Sequence, residues 1–184
     1  MPIPYRDDDG LERLGTAAFL HVQAEPGGYR GALFLVDARG EPMEFAYNRI
    51  EVVQRFLWRE EQLRRHACRR LATTLFEICP RVPSVLLCRA EEIGSEVFLE
   101  DVRLSLPVAR VANEGAVVGQ TADEERESAL NGELQLFWAG AAPAPESPER
   151  ALLDELARRG LLVEPFDRAA VGLAEVYGDA NVVD

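Results

Sequence analysis

Short apolar runs separated by glycine and proline turns fill the front of the chain, and a helical spacing replaces them near residue 59. "TAAFLHVQAE" predicts a strand, closed by the turn signal "PGG" at 26–28. "YRGALFLVDARGEP" follows, and its continuous run Leu33 to Val36 predicts a strand buried on both faces. Asp37, Gly40 and Pro42 mark a second turn. "MEFAYNRI" then alternates, which places Met43, Phe45 and Tyr47 on one face and Glu44 and Asn48 on the other. Three strands joined by two short turns form an antiparallel meander.

The spacing predicts a helix from about residue 59 to 78. Leu63, Ala67, Cys68, Leu71, Ala72, Leu75, Ile78 and Cys79 share one broad face, while Arg65, His66, Arg69, Arg70, Thr73 and Glu77 share the other. Glu60 and Glu61 suit the positive end of the helix dipole, and Pro80 stops the helix. Arg64 is the misfit, because it projects from the apolar face; it either snorkels or meets a carboxylate beneath.

"PSVLLCRA" reads as a short strand, and "SEVFLEDVRLSLPVARV" as another, with Val102, Leu104 and Leu106 alternating against Asp101, Arg103 and Ser105. Residues 112–132 read as a long loop with a short helix over "ADEERESAL", and "ELQLFWAG" as the last strand. "AAPAPESP" has a linker's composition. Beyond it, Ser147 as cap, Pro148 at the first helical position, the stripe Leu152, Leu153 and Leu156, and Gly160 as stop define a helix. "LLVEPF" reads as extended, and "DRAAVGLAEVYG" as a second short helix capped by Asp167. Residues 1–10, with Pro2, Pro4 and "DDDG", read as a mobile leader.

The expected fold class is therefore α/β (α+β): a meander, a helix, further strands and a C-terminal helical tail. Over about residues 15 to 90 this order resembles the front half of the ribonuclease-H-like fold, in which a meander leads to a helix and a parallel fourth strand. It also resembles roadblock or longin-type domains, which stack helices on an antiparallel sheet and serve as interaction platforms. The ribonuclease-H-like resemblance implies metal-holding acids, one of them on the first strand. "TAAFLHVQA" contains no acid, so a fold of that kind would be catalytically dead or have its site relocated. The expected organisation is a core domain over 1–140, with a linker and helical extension over 141–184 packed on or beside it.

Composition narrows the function classes. The 47% apolar and 28% charged content of 184 residues supports one globular domain with a sizeable core. No apolar run approaches the roughly 20 residues of a membrane span, and the acidic N-terminus lacks a signal-peptide layout. Cys68, Cys79 and Cys88 form no paired framework, which points to a reducing cytoplasm. A net charge of -12 argues against broad nonspecific binding to nucleic acid or anionic membrane. Yet Arg49, Arg55, Arg59, Arg64, Arg65, Arg69 and Arg70 stand against only Glu51, Glu60 and Glu61 in the same stretch. A basic patch on an acidic body orients partners. All 20 basic residues are arginine, which is read mainly as a compositional bias.

Chemistry-bearing constellations are sparse. His66 and Cys68, two positions apart on a helix, diverge by about 200°, and the chain's few histidines and cysteines do not show the four converging ligands of a zinc site. His21 lies inside a strand, and no serine sits in a nucleophile elbow. "PGGYRG" precedes a strand, so it is a hairpin turn and not a phosphate cradle. Asp37 is the best-placed single carboxylate, with Glu91, Glu92, Glu100 and Asp101 as companions for a metal. No cofactor is expected.

The arginine face is coherent: Arg65 and Arg69 lie one turn apart, with His66 and Arg70 in the adjacent row, and Arg59 leads in. Phe56 and Trp58 just upstream are either stacking platforms or anchors to the sheet. The face is either an internal counterion for the protein's own acids or a docking strip. The reading placed first is a non-enzymatic interaction subunit of a larger cytoplasmic assembly, with a protein partner on Arg59, Arg65, His66, Arg69, Arg70 and the C-terminal helices. The second is an accessory factor of a nucleic-acid-processing machine that contacts phosphate backbone with the same helix. The third is a metal-dependent nuclease or hydrolase using Asp37.

Overall fold

A computed structural model describes residues 10–129 and 132–178. The leader read over residues 1–10 lies, up to residue 9, outside the described residues.

The meander forms as its turns and apolar runs dictate. Strands β1 (Thr16–Glu25), β2 (Gly28–Asp37) and β3 (Pro42–Glu51) pair antiparallel, β1 with β2 from Thr16↔Asp37 to Glu25↔Gly28. Helix α1 (Glu60–Ile78) carries the chain back, so β4 (Val85–Arg89) lies parallel to β1 with Leu20 opposite Cys88. This parallel pair decides between the two resembled layouts, because a helical crossover is what a parallel neighbour requires. Strand β5 (Val108–Asn113) is parallel to β4, and β7 (Leu134–Ala139) and β6 (Glu124–Ser128) complete the sheet antiparallel. The strand order is β3-β2-β1-β4-β5-β7-β6.

Helix α1 covers one face, burying Leu63, Cys68, Leu71 and Leu75 against Leu20, Leu33, Leu35 and Leu86. Helices α2 (Pro148–Arg158) and α3 (Glu164–Tyr177) cover the other, packing Leu152, Leu156, Phe166 and Leu173 against Phe19, Phe34 and Leu87. The Phe19 and Phe166 rings meet edge to face at 5.1 Å. Gly172 lets α3 approach β3 closely, since a Cβ there would lie 2.6 Å from Phe45 Cζ. Ser147 caps α2 by accepting a hydrogen bond from Arg150 N at 3.2 Å.

Four local expectations are corrected. Met43 packs on the α1 side while Phe45 packs on the opposite side, because the β2–β3 register shifts between Leu35 and Val36 and skips one residue of β3. Residues 97–106 form no strand. Val97–Asp101 is a single wide helical turn, and Val102, Leu104 and Leu106 lean on the α1-side core without a ladder. Over "ADEERESAL" the chain forms β6 instead of a helix, since pairing with β7 outweighs helix propensity; Leu130 lies outside the described residues. Helix α3 starts at Glu164, because Pro165 is suited to a first turn, so Asp167 lies inside the helix and does not cap it.

Candidate functional site

Strands β1, β4 and β5 run parallel, so their carboxyl ends share one edge, and α1 begins at that edge. In open α/β sheets this is where ligand crevices form. A cleft of about 500 Å³ opens here, lined by Arg64 of α1, Arg89 at the end of β4 and Glu91 just beyond it, Asn113 at the end of β5, and the 116–119 loop. Arg64 makes no hydrogen bond or ion pair among the described residues; Glu60 and Cys68 only sense its charge.

The loop wall is held by a buried ion pair. Arg110, 3% exposed, donates from Nε and Nη2 to the two carboxylate oxygens of Glu124, 7% exposed, at 2.7 Å each. The same guanidinium donates to Gly119 O at 2.7 Å and stacks over Phe137. The arrangement is bidentate, with further donors satisfied by backbone, which is what a charge pair at this depth needs.

On the α3 side of the same edge, Glu92 gathers three groups. It accepts from His21 Nδ1 at 2.9 Å and from Val22 N at 3.0 Å, and Arg89 Nη1 stands 3.8 Å away. The buried Nε2 has no hydrogen-bond partner among the described residues. Arg89 also donates to Asp167 at 2.6 Å and lies over the Phe166 ring. Burial pushes the Cys68 thiol up to about 12 and raises Cys88 also, so neither is a nucleophile near neutral pH.

Asp37 lies at the opposite edge, beside Thr16 at the start of β1, where its Oδ1 accepts from Arg39 N and Glu41 N as a turn cap. The sheet therefore separates it from Glu91 and Glu92, while Glu100 and Asp101 are engaged by Arg65. Among the described residues no three His, Cys, Asp or Glu side chains converge as metal ligands.

The arginine face divides. Arg65 binds both oxygens of Asp101 at 2.7 Å and Glu100 at 2.8 Å, which raises its own pKa and holds the Asp101 carboxyl below the usual range. His66 meets Trp58 in a tilted ring contact, centroids 5.0 Å apart at 38°, and accepts from Arg69 Nη2 at 3.3 Å. Partial burial, then the charges of Arg69 and Arg70, lower its pKa. Arg59, Arg69 and Arg70 are exposed and make no ion pair among the described residues, although the charge of Arg69 reaches Asp101. Phe56 beside them is 83% exposed, and Leu57 is nearly as open.

No protein-family profile matches the chain, and neither does any curated protein. Solved structures do. The endonuclease V from Streptomyces avermitilis is similar with a TM-score of 0.56 at 16% identity, over 91% of this chain and 83% of that one. The fold is ribonuclease-H-like. The endonuclease V from Bacillus subtilis gives a TM-score of 0.48 at 16% identity, over 90% of this chain and 82% of that one. The Marinitoga piezophila Argonaute, solved with a 5′ OH guide RNA, gives 0.35 at 8% identity over 77% and 25%. No helix among the described residues is long and apolar enough to cross a membrane.

Arg89 and the Arg110–Glu124 pair escaped the sequence reading, which took His21 only as a strand residue and Glu92 only as a companion of Asp37. A histidine inside an apolar strand and an arginine at the end of another were the available signals, and both are local departures from burial rules.

Proposed function

We propose that the protein is an accessory subunit of a nucleic-acid-processing assembly, a ribonuclease-H-like scaffold that contacts phosphate backbone through the outer face of α1. The observation that carries this reading is the uneven matching of arginines. Arg65, Arg89, Arg110 and Arg150 are paired with acids, whereas Arg59, Arg69 and Arg70 are exposed and make no ion pair among the described residues. Phosphates supply the missing counterions, and the exposed Trp58 ring offers an aromatic surface for a base. That a protein of the same fold is named an endonuclease supports the class of partner. The acidic body disfavours indiscriminate binding, so contact is confined to this strip.

The test is anisotropy of labelled single strands and duplexes across a salt series. Affinity is expected to fall steeply with salt, and replacing Arg59, Arg69 and Arg70 by Glu to reduce the slope by about one unit per lost contact. Equal slopes for wild type and variant would overturn the reading.

A second reading keeps the same face but gives it a protein partner, and it rests on Phe56 and Leu57, exposed apolar side chains beside arginines. A partner that survives nuclease treatment and is lost in the Phe56→Ser/Leu57→Ser variant would favour it.

A further inference from the structure

The cleft at the carboxyl ends of β4 and β5 is a separate feature from the outer face of α1. Its lining is mixed. It includes two guanidinium groups: Arg64 of α1, without any ion pair among the described residues, and Arg89 at the end of β4, which lies over the Phe166 ring. It also includes the aliphatic side chains of Val111, Val117 and Val118, of which Val117 is fully exposed. Glu91 and Asn113 line it too, one an acceptor and the other both donor and acceptor.

We propose that this cleft binds a nucleoside monophosphate. The phosphate lies between Arg64 and Arg89, the planar base lies against the valines, and the sugar hydroxyls meet Glu91 and Asn113. Three features favour this class of ligand. Two guanidiniums match an anion with several acceptor oxygens, since each presents a fork of donors. The valine side chains in the lining suit a flat, weakly polar body, and a volume of about 500 Å³ lies within the range of small-ligand sites. Finally, the closer of Arg89's two acidic partners is replaceable. Asp167 is 70% exposed, so exchanging that contact for a phosphate gives up little. Glu92 stays with His21 and Val22 N, and the site keeps its shape.

The ligand could be a free mononucleotide or the phosphorylated end of a strand; the recognising chemistry is shared. The site does not depend on the α1 strip, so failure of one leaves the other standing.

The experiment is calorimetric titration of the full chain with AMP, GMP, CMP and UMP, with adenosine and inorganic phosphate as controls. A monophosphate is expected to bind at least ten-fold more tightly than adenosine or phosphate alone. Arg64→Gln is expected to weaken it at least ten-fold with no change in the melting temperature of the free protein, because Arg64 supports no structural contact. The variant with Arg59, Arg69 and Arg70 changed to Glu is expected to bind normally. Dinucleotides with and without a 5′-phosphate then separate the sources. A phosphorylated dinucleotide ten-fold tighter than AMP assigns a strand end, and equal affinity assigns the free nucleotide. Absence of binding at millimolar concentration, equal affinity for inorganic phosphate, or full retention in Arg64→Gln would each overturn the proposal.

Discussion

The arginines of the β5–β6–β7 end of the sheet and those on the outer face of α1 live under opposite conditions. Arg110 is sealed between strands, with a bidentate carboxylate, a backbone carbonyl and an aromatic ring around it. Arg59 and Arg70 stand in water with nothing of their own to hold. The contrast shows what folding settles and what it leaves to a partner. A buried guanidinium must have its counterion inside the chain, because an unpaired charge at that depth is prohibitive. An exposed one imposes no such demand, so its missing partner is information about function.

The largest effect that can test this contrast lies at the buried pair. Arg110→Met leaves Glu124 buried and unpaired, and is expected to cost about 3–5 kcal/mol in denaturant unfolding. Arg110→Met with Glu124→Leu is expected to recover most of that loss. A single variant as stable as wild type would dissolve the distinction between the two regions.

Arg65 is intermediate, since its guanidinium is partly exposed although Asp101 is mostly covered. Arg65→Gln is expected to cost about 1 kcal/mol, whereas Arg59→Gln and Arg70→Gln stay within about 0.5 kcal/mol. If all three cost the same, the α1 face is a single solvated surface.

The smallest effect is in pH. The Asp101 carboxyl is lowered in the folded protein, chiefly by its hydrogen bond from Arg65. Its contribution is therefore present above its unfolded pKa near 4 and lost as pH falls through the lower folded value. His66 is lowered by partial burial, so the unfolded chain binds its proton first, and stability declines as pH falls below about 6.5. Melting temperatures across this range are expected to decline toward acid. The limb near pH 6 flattens in His66→Phe, and the limb below pH 4 flattens in Arg65→Gln.

Much of the architecture was legible because it is written in local signals. The turns at "PGG" and "DARGE", the apolar stripe of α1, and the Ser147–Pro148 start of α2 each depend on neighbours in sequence. What escaped depends on distant partners. The alternation of Val102, Leu104 and Leu106 is real, since all three lean on the same core, but no strand lies beside them to make a ladder. "EERES" has a helix former's composition and becomes an edge strand only because β7 is there to pair with it. The candidate site was hidden for the same reason. Glu92 meets His21 across 71 residues, and among 32 acids nothing local singles it out. Arg64 was visible as a misfit on the apolar face, and it lines the cleft.

The covering of β1 and β2 by α3 bears on how the chain is made. Phe19 and Phe34 leave the ribosome well over a hundred residues before Phe166 and Leu173, which shield that side of the sheet. The nascent meander thus waits with one greasy side open until α3 follows. Such an interval is when chaperones bind and when neighbouring nascent chains on a crowded polysome stick together.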